Sequence, residues 1–575
     1  MDALTHVWDL NSLFNDDNST FTFTSDLKKR ASAFEANYKG KLCDLSSDTF
    51  NLAIKEYEAL WEDVGRVMTY AGLSLAADSN KGAFYAKCEL SANEVQEHLV
   101  FFTIEFCDLP QDVAQKFISA CPKYAYYLKL TLDNKKYQLS LKEEKILISL
   151  SPLGASAFAR LFDEFYSNLH VDFDGKSLSL EEILSLQHNK DRHIRSSAQE
   201  AFTKALRDNR LFLTYILNMI RKDLSIHTNL RGYENKEISR HISNQTTQKS
   251  VDSLINAVNG AMDLSIRYYK TKAKILGIEL KDYDRYAPIA KTSAFYSYKD
   301  GLNIVLEALN EFSPIFHKIA NDAAQNGWID SHPRDRKRGG AFSHGSVPSS
   351  HPFVMLNHTD NRRDVFTIAH EFGHMIHQEL SKKQGYLNMD TPLTTAETAS
   401  VFSEMILFEK MKKSLSKQEL KELYASKLED IIATLFRQIV MTNFERRIHD
   451  LEGELSADDF DNIWLEENER QFKGALELTP NYGAWWSYIP HFIHTPFYCY
   501  AYSYGQLLVL ALFGLYKRSN KEEFIQTYIK FLESGGSKSP KEMVQAFGFD
   551  IESDDFWQIG LAEVRALIEE FEALL

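Results

Sequence analysis

The chain of 575 residues is 44% hydrophobic and 25% charged, which is typical of a globular protein too long for one ordinary hydrophobic core. Its formal net charge of −15 disfavours nucleic acid or an anionic membrane as its main partner, and no apolar run approaches the roughly 18 residues that span a bilayer. The five cysteines form no CxxC pair and the N-terminus has no signal-peptide pattern, so we expect reduced thiols and a cytoplasmic location.

The N-terminal third has the apolar periodicity of long helices. Apolar residues recur about every 3.6 positions, and glycine and proline (25 and 13 in the whole chain) seldom interrupt them. The predicted helices cover residues 27–38, 50–70, 92–106, 111–128 and 143–168. Residues 169–173, followed by Asp174 and Gly175, predict a short strand and a turn. The polar stretch at 187–195 predicts a boundary between an N-terminal helical lobe, 1–187, and a catalytic region, 188–575.

Helical patterns resume at 196–206, 211–228 and 247–275, and the longest irregular region follows at 331–352. Within it, Gly339, Gly340 and Ala341 would let the backbone of an extended peptide approach closely. The next residues, 353–357, predict a strand whose edge could pair with such a peptide. We therefore predict that these three small residues bind substrate, the alternative being a surface loop with two flexible glycines. The neighbouring cations could meet a substrate carboxylate or lie in solvent, and solvation is expected for three of them: Arg334, Arg336 and Lys337.

Residues 364–380 predict a helix that carries the sequence HEFGH at positions 370–374. His370 and His374 lie four positions apart, so both imidazoles can face one metal ion. Zn²⁺ lowers the pKa of a water ligand to about 7, and Glu371 is close enough in sequence to take its proton. The motif therefore predicts a catalytic site for one zinc ion with Glu371 as general base. The alternative is a chance match on an ordinary surface helix.

A catalytic zinc site needs a third protein ligand. The predicted helix at 394–413 carries Glu397 and Glu404 on one face, seven positions apart. We predict that Glu397 is the third ligand and that Glu404 orients a ligand histidine; Glu404 as a solvated or capping side chain is the alternative. Glu379 is the rival ligand, but its position on the first helix directs it elsewhere. His377 is expected to be a structural histidine bonded to a partner.

Several segments resemble the oligoendopeptidase F branch of the thimet oligopeptidase family of zinc metallopeptidases. They are 188–195 (HNKDRHIR), 337–342 (KRGGAF), 353–357 (FVMLN), 364–374 (DVFTIAHEFGH), 397–404 (ETASVFSE) and 491–504. With no large break in 188–505, the resemblance implies an endopeptidase that cuts short, unstructured peptides. Together with the helical pattern it predicts a mainly α, two-lobed fold. A small β-sheet would lie beside the zinc helix, and a deep central channel would lie between the lobes.

The resemblance also implies that a histidine and two tyrosines of the segment 490–504 (PHFIHTPFYCYAYSY) lie across the cleft from zinc. Tyrosine and histidine can donate hydrogen bonds to the oxyanion that forms when a peptide bond is attacked. The spacing of these residues departs from that of thimet oligopeptidase, so five positions remain candidates: His491, His494, Tyr498, Tyr502 and Tyr504. One helix cannot turn four alternate tyrosines to the same side, so part of this set should lie in the core.

Two other functions fit parts of the pattern. A related HExxH carboxypeptidase would need a fixed cation for the terminal carboxylate, and Arg338 is the nearest arginine. A non-enzymatic peptide-binding protein with a structural zinc is disfavoured, because structural sites usually close four protein ligands. We expect short peptides as substrates, no nucleic acid or membrane partner, and a monomer or weak oligomer.

Overall fold

The structure, a computed structural model, describes residues 6–289 and 294–575. Its α-helices in chain order are α1 (Asp17–Tyr38), α2 (Ser47–Ala77), α3 (Gly82–Asp108), α4 (Gln111–Ala120), α5 (Ala125–Asp133), α6 (Leu141–Leu150), α7 (Ala155–Asn168), α8 (Leu180–Ser185), α9 (Arg192–Asp208), α10 (Arg210–Arg231), α11 (Ile238–Ser243), α12 (Gln248–Gly260), α13 (Met262–Leu276), α14 (Tyr298–Phe312), α15 (Pro314–Gln325), α16 (Arg362–Ser381), α17 (Leu393–Ala396), α18 (Thr398–Lys412), α19 (Lys417–Ile431), α20 (Gln438–Asp450), α21 (Ala457–Phe472), α22 (His491–His494), α23 (Tyr500–Arg518), α24 (Lys521–Glu533), α25 (Pro540–Gln545) and α26 (Asp554–Ala573). The strands are β1 (His170–Phe173), β2 (Lys176–Ser179), β3 (Ile329–Asp330), β4 (Phe342–His344) and β5 (Phe353–Met355). The fold is mainly α, as the sequence predicts.

The chain forms two compact units, and each unit is assembled from three separate segments. The first unit takes the residues up to Lys136, a central segment that ends at Ser414, and Tyr516–Gly548. The second takes the segment that begins at Tyr137, together with Leu415–Leu515 and Phe549–Leu575. The predicted boundary near residue 187 falls inside the second unit and stays a prediction about the two sequence regions. No helix of the described residues is both long and apolar enough to cross a membrane.

Most predicted helices are present, but some stretches predicted as one helix are two helices in the structure. The predicted helix 111–128 is divided into α4 and α5 by a turn that starts at Pro122, which has no amide hydrogen to continue a helix. The predicted helix 143–168 is likewise divided into α6 and α7, by the turn Ser151–Leu153. The predicted helix 247–275 is divided into α12 and α13 at Gly260 and Ala261. The short strand β1 turns back through Asp174 and Gly175, both with positive φ, to pair with β2.

A three-stranded sheet in the first unit has the order β3-β5-β4. The strand β5 pairs in parallel with β3 and antiparallel with β4, with Phe342 opposite Met355. The predicted strand at 353–357 is therefore present, but it is central in the sheet and cannot offer a free edge. The edge strands of this sheet are β3 and β4, and β4 directly follows Gly339, Gly340 and Ala341.

The cations of the irregular region are not all solvated, and this part of the prediction is wrong. Asp330, fully buried at the end of β3, accepts two hydrogen bonds from Arg334, at 2.6 and 2.7 Å. The buried ammonium of Lys337 donates to the same carboxylate at 2.7 Å and to the carbonyl oxygens of His332 and Leu356, at 2.8 and 2.5 Å. Opposite charges held in this way tie the irregular region to the sheet. Arg336 remains half exposed at the surface.

Candidate metal centre and peptide site

The helix α16 presents one apolar face to the core of the first unit and its two motif histidines to the other side. Asn361 caps its first turn by accepting a hydrogen bond from the Asp364 amide at 3.1 Å, and the Asp364 side chain returns the bond. The apolar side chains at the expected helical spacing are all buried: Val365, Ile368, Phe372, Met375 and Ile376. Burial of this face fixes the rotation of the helix about its axis, which directs His370 and His374 away from the core.

His370, His374 and Glu397 converge in the structure. One donor atom from each lies within 4.8 Å of the others. The Nε2 atoms of both histidines are 3.4 Å from Oε2 of Glu397. Ligand atoms bound at about 2.0–2.1 Å in a tetrahedral arrangement lie about 3.3 Å apart, so the set has the spacing that zinc requires.

Two further side chains hold this set in place. Glu404 lies 2.6 Å from Nδ1 of His370, so a proton on Nδ1 leaves Nε2 directed at the centre. Ser400 donates a hydrogen bond to Oε2 of Glu397 at 2.7 Å. Glu404 therefore has the contact predicted for it. The role of Ser400 was missed, because a serine three residues after a glutamate has no distinctive sequence signal.

Gly373 explains how the two helices of the site come close enough. A Cβ atom placed on Gly373 would lie 2.3 Å from the carbonyl oxygen of Ala399 and 2.5 Å from Cα of Ser400. Any side chain at this position would collide with the backbone of α18, which no rotamer change can relieve. The glycine inside HEFGH thus permits α18 to lie against α16 and to bring Glu397 and Glu404 to the histidines.

Glu371 is almost entirely buried, and its Oε2 has no hydrogen-bond partner among the described residues. Burial raises the pKa of this carboxyl, while the nearby charges of His370 and His374 oppose the rise. A buried carboxylate without a protein partner is costly unless it faces water, substrate or an ion. Its place beside His370, His374 and Glu397, which could hold a metal ion, meets this requirement.

The metal-free site is strongly polarised. Burial opposes protonation of His370, but its hydrogen bond to Glu404 and the charges of Glu404 and Glu397 raise the pKa of His370 to about 9. Burial likewise opposes ionisation of Glu397, but the hydrogen bond and charge of His374 lower the pKa of Glu397 to about 2. Without metal at neutral pH, a proton on His370 therefore partly substitutes for the cation.

The two other side chains considered for this site have different environments. Glu379 pairs with Lys382, with Nζ and Oε2 2.7 Å apart, and is not part of the converging set. His377 is buried, and burial lowers its pKa to about 3. Its Nε2 has no partner among the described residues, so the expectation of a partner-bonded histidine does not hold for that atom.

The segment predicted to bind peptide is exposed and leads into the edge strand β4. Asn357 donates hydrogen bonds from Nδ2 to the carbonyl oxygens of Arg338 and Gly340, at 3.0 and 2.7 Å, and so fixes the backbone of this segment. Gly340 has a φ of 79°, a conformation that favours glycine. Gln378 of α16 exchanges two hydrogen bonds with Ser343 of β4, so the edge strand is tied to the helix that carries the histidines.

In the second unit, His491, Tyr498 and Tyr502 form a partly exposed cluster. The imidazole of His491 stacks on Tyr498 with ring centroids 5.7 Å apart, and its Nε2 lies 3.2 Å from the Tyr502 hydroxyl. The turn between His491 and Tyr498 is fixed by Glu445, which accepts a hydrogen bond from the amide of Phe497 at 2.7 Å. Phe497 has a φ of 59°, and burial raises the pKa of Glu445 to about 8. This support by Glu445, remote in sequence, was not predicted.

The other two candidates of this segment have different surroundings. Tyr504 is fully buried, and its hydroxyl bonds Ser250 at 2.9 Å, so it belongs to the core of the second unit and not to the donor set. His494 lies at the surface, with Nε2 2.8 Å from Asp163, and is held apart from the cluster by this ion pair. The expectation that the tyrosines divide between two sides of the helix is met, because Tyr500 is also buried.

Comparison with known proteins defines the class of the protein. The family model of Peptidase family M3 matches residues 185–563, and that of Oligopeptidase F matches residues 105–170. The first match covers more than half of the chain, so the chain belongs to peptidase family M3. It is thus a metalloendopeptidase, an enzyme that hydrolyses peptides, and the predicted resemblance is confirmed.

Within the family, the similarity is to oligoendopeptidase F. The chain is 28% identical to an oligoendopeptidase F homolog of Borreliella burgdorferi, covering 95% of this chain and 94% of the relative. It is 26% identical to the oligopeptidase PepF of Bacillus subtilis, covering 99% of this chain and 87% of the relative. The crystal structure of a putative peptidase from Chlamydophila abortus has the same fold, with a TM-score of 0.89, 22% identity and coverage of 100% and 99%. The crystal structure of oligoendopeptidase-F from Enterococcus faecium matches with a TM-score of 0.70 and 21% identity, covering 97% of this chain and 98% of that one.

A methyl group at position 373 should separate the two helices of the site. Gly373→Ala is expected to lower the free energy of unfolding by about 1–3 kcal/mol, because it overpacks a backbone contact. It should also weaken zinc binding by about tenfold or more, because Glu397 and Glu404 move with α18. Chemical denaturation and titration against a zinc chelator measure the two effects.

The matched control is Gly72→Ala in α2, where an added Cβ meets no atom within 4 Å. Alanine is the better helix former by about 1 kcal/mol, so this variant should be at least as stable as the parent. Normal zinc affinity in Gly373→Ala would contradict the role given to the glycine.

Zinc binding should release a proton at neutral pH, because His370 must lose the proton that its pKa of about 9 retains in the metal-free protein. The apparent zinc affinity should then rise by nearly tenfold per pH unit between about pH 6 and 8 and level off near pH 9. Calorimetry in buffers of different ionisation enthalpy counts the protons. Glu404→Gln should lower the His370 pKa and reduce the release, and an unchanged count in that variant would disprove the coupling.

Proposed function

We propose that the protein is a zinc-dependent oligoendopeptidase that cuts short, unstructured peptides, with Glu371 as general base. The observation that carries the proposal is the convergence of His370, His374 and Glu397 beside the buried carboxyl of Glu371, whose Oε2 has no hydrogen-bond partner among the described residues. Two imidazoles and one carboxylate are a donor set typical of catalytic zinc, and they leave a coordination position free for the reaction.

The ion would be held by His370, His374 and Glu397, and when bound it supplies a Lewis acid that polarises the scissile carbonyl and acidifies water. Glu371 then accepts a proton from the attacking water and later donates it to the leaving amine. Burial raises the pKa of Glu371 towards the working pH, which suits a group that must both take and return a proton. Glu404 and Ser400 hold the ligands in their orientation throughout.

Substrate binding is assigned to the outer edge of β4 and to the preceding small residues Gly339, Gly340 and Ala341. An extended peptide that pairs with this edge satisfies its own backbone without requiring particular side chains. For the oxyanion we assign donors from the cluster of His491, Tyr498 and Tyr502. Burial and the charge of Arg437 lower the pKa of His491, so its imidazole is neutral at pH 7 and can share a hydrogen with Tyr502.

We also infer a cytoplasmic location and action on free peptides. All five cysteines are unpaired thiols in the structure, which suits a reducing compartment. The net charge of −15 disfavours nucleic acid and anionic lipid surfaces as partners.

The test is digestion of an internally quenched peptide of about ten residues, blocked at both ends, with products identified by mass spectrometry. The parent protein should cut internal bonds, whereas Glu371→Gln should bind zinc normally and lose about 10²–10⁴-fold in kcat. Glu379→Gln, on the same helix but paired with Lys382, is the matched control and should retain activity. Substantial turnover by Glu371→Gln would exclude it as the base, and failure on doubly blocked peptides would favour a carboxypeptidase.

The oxyanion donors are tested by Tyr498→Phe and Tyr502→Phe, which remove only a hydroxyl. Loss of one donor to a developing oxyanion typically lowers kcat by about 10²–10³ with little change in KM, and the larger loss identifies the principal donor. Tyr500→Phe, whose buried hydroxyl bonds His241 at 2.8 Å, is the control for a purely structural tyrosine. Full kcat in both cluster variants would show that the oxyanion is stabilised elsewhere.

A further inference from the structure

A cavity of about 210 Å³ lies next to the metal-ligating set in the first unit. Its lining includes His374, His377 and Gln378 from α16, and Asp390 and Thr391 from the connection to α17. Because His374 belongs both to this lining and to the converging ligands, a group in the cavity is adjacent to the reacting bond. The volume suits one amino-acid side chain and is below that of sites for larger ligands.

The cavity is acidic, and its charge is not neutralised from within the protein. Asp390 is exposed and forms no ion pair or side-chain hydrogen bond with another described residue. The surrounding protein atoms desolvate this carboxyl and raise its pKa. The two lysines that follow the wall on α16 and its C-terminal turn are engaged elsewhere, Lys382 with Glu379 and Lys383 with Glu533.

The other polar side chains of the cavity wall add no positive charge. His377 is among the lining residues, but it is 97% buried and its Nε2 is shielded from solvent, so this atom is not offered to a ligand in the cavity. Burial lowers the pKa of its imidazole to about 3 and keeps it neutral. Both ends of the Gln378 amide are already bonded to Ser343. Asp390 therefore supplies the charge of the cavity, and a carboxylate suits a ligand rich in hydrogen-bond donors.

The backbone that carries Asp390 is held rigidly. The amide of Gly536 donates to the carbonyl oxygen of Asn388 at 2.8 Å, and the Asn388 side chain donates to the carbonyl oxygen of Lys123 at 3.0 Å. A Cβ on Gly536 would lie 2.1 Å from the carbonyl oxygen of Asp390, so only glycine permits this approach. A carboxylate on a fixed backbone loses little freedom when it binds, which favours selectivity.

We propose that this cavity is a side-chain subsite that selects a lysine or arginine next to the scissile bond, with Asp390 as the residue that determines the preference. The inference rests on the proposed peptidase function and names its substrate class. The ammonium or guanidinium group supplies hydrogen-bond donors and a positive charge to the Asp390 carboxylate, and the apolar stem fills the cavity. A charge-assisted hydrogen bond of this kind corresponds to a preference of about 10- to 100-fold in kcat/KM.

The experiment uses doubly blocked peptides of neutral residues that carry one lysine, and a matched set with methionine at the same positions. In the zinc-loaded parent, moving the lysine by one residue should move the cut by one bond, and the lysine peptides should exceed the methionine peptides by about 10- to 100-fold in kcat/KM. In Asp390→Asn the ratio should fall to about 1 and the cut should cease to follow the lysine. In Asp390→Lys, glutamate peptides should become the better substrates.

Asp335→Asn, an exposed acidic position in the same unit, is the control and should preserve the lysine preference. Zinc content and circular dichroism confirm that each variant is folded. A parent enzyme that cuts internal bonds without regard to lysine, or a preference that survives Asp390→Asn, would overturn the subsite and leave the peptidase function standing. Absence of any internal cleavage by the parent would instead overturn the proposed function, and the subsite with it.

Discussion

The close contact between α16 and α18 at Gly373 is the constraint on which the rest of the site depends. The carbonyl oxygen of Ala399 occupies the place where any other residue would put its Cβ. At this separation, Glu397 meets the Nε2 atoms of both histidines and Glu404 meets Nδ1 of His370. Two helices that are separate in sequence thus act as one rigid support, and the geometry of the three proposed ligands follows from a single missing side chain.

The same contact concentrates charges that would repel one another without a cation. Glu371, Glu397 and Glu404 surround two imidazoles, and their fields raise the pKa of His370 to about 9. The clustered carboxylates therefore favour a nearby positive charge, which a proton supplies in part and a divalent ion supplies more fully. This preference for a positive charge connects folding to the proposed function: the arrangement that makes the metal-free site costly would also bind the proposed zinc ion and maintain Glu371 as the proposed base.

The parts predicted well are those in which a short sequence pattern dictates geometry. His370 and His374 lie four apart on a helix whose apolar face is unambiguous, and Glu404 lies where helical spacing from Glu397 would put it. The parts missed depend on contacts between distant segments. Nothing local marks Tyr504 as buried and Tyr502 as partly exposed, because the division is set by what packs against α23. Likewise, Lys337 looks like a surface cation until Asp330 is found beside it.

The most direct test of this account is a crystal structure of the zinc-loaded protein with anomalous diffraction measured on both sides of the zinc absorption edge. The account predicts one strong anomalous peak, about 2.0–2.2 Å from Nε2 of His370, Nε2 of His374 and a carboxylate oxygen of Glu397, with Glu404 bonded to His370 and not to the metal. A peak ligated by Glu404 in place of Glu397, or a zinc ion closed by a fourth protein ligand, would contradict it.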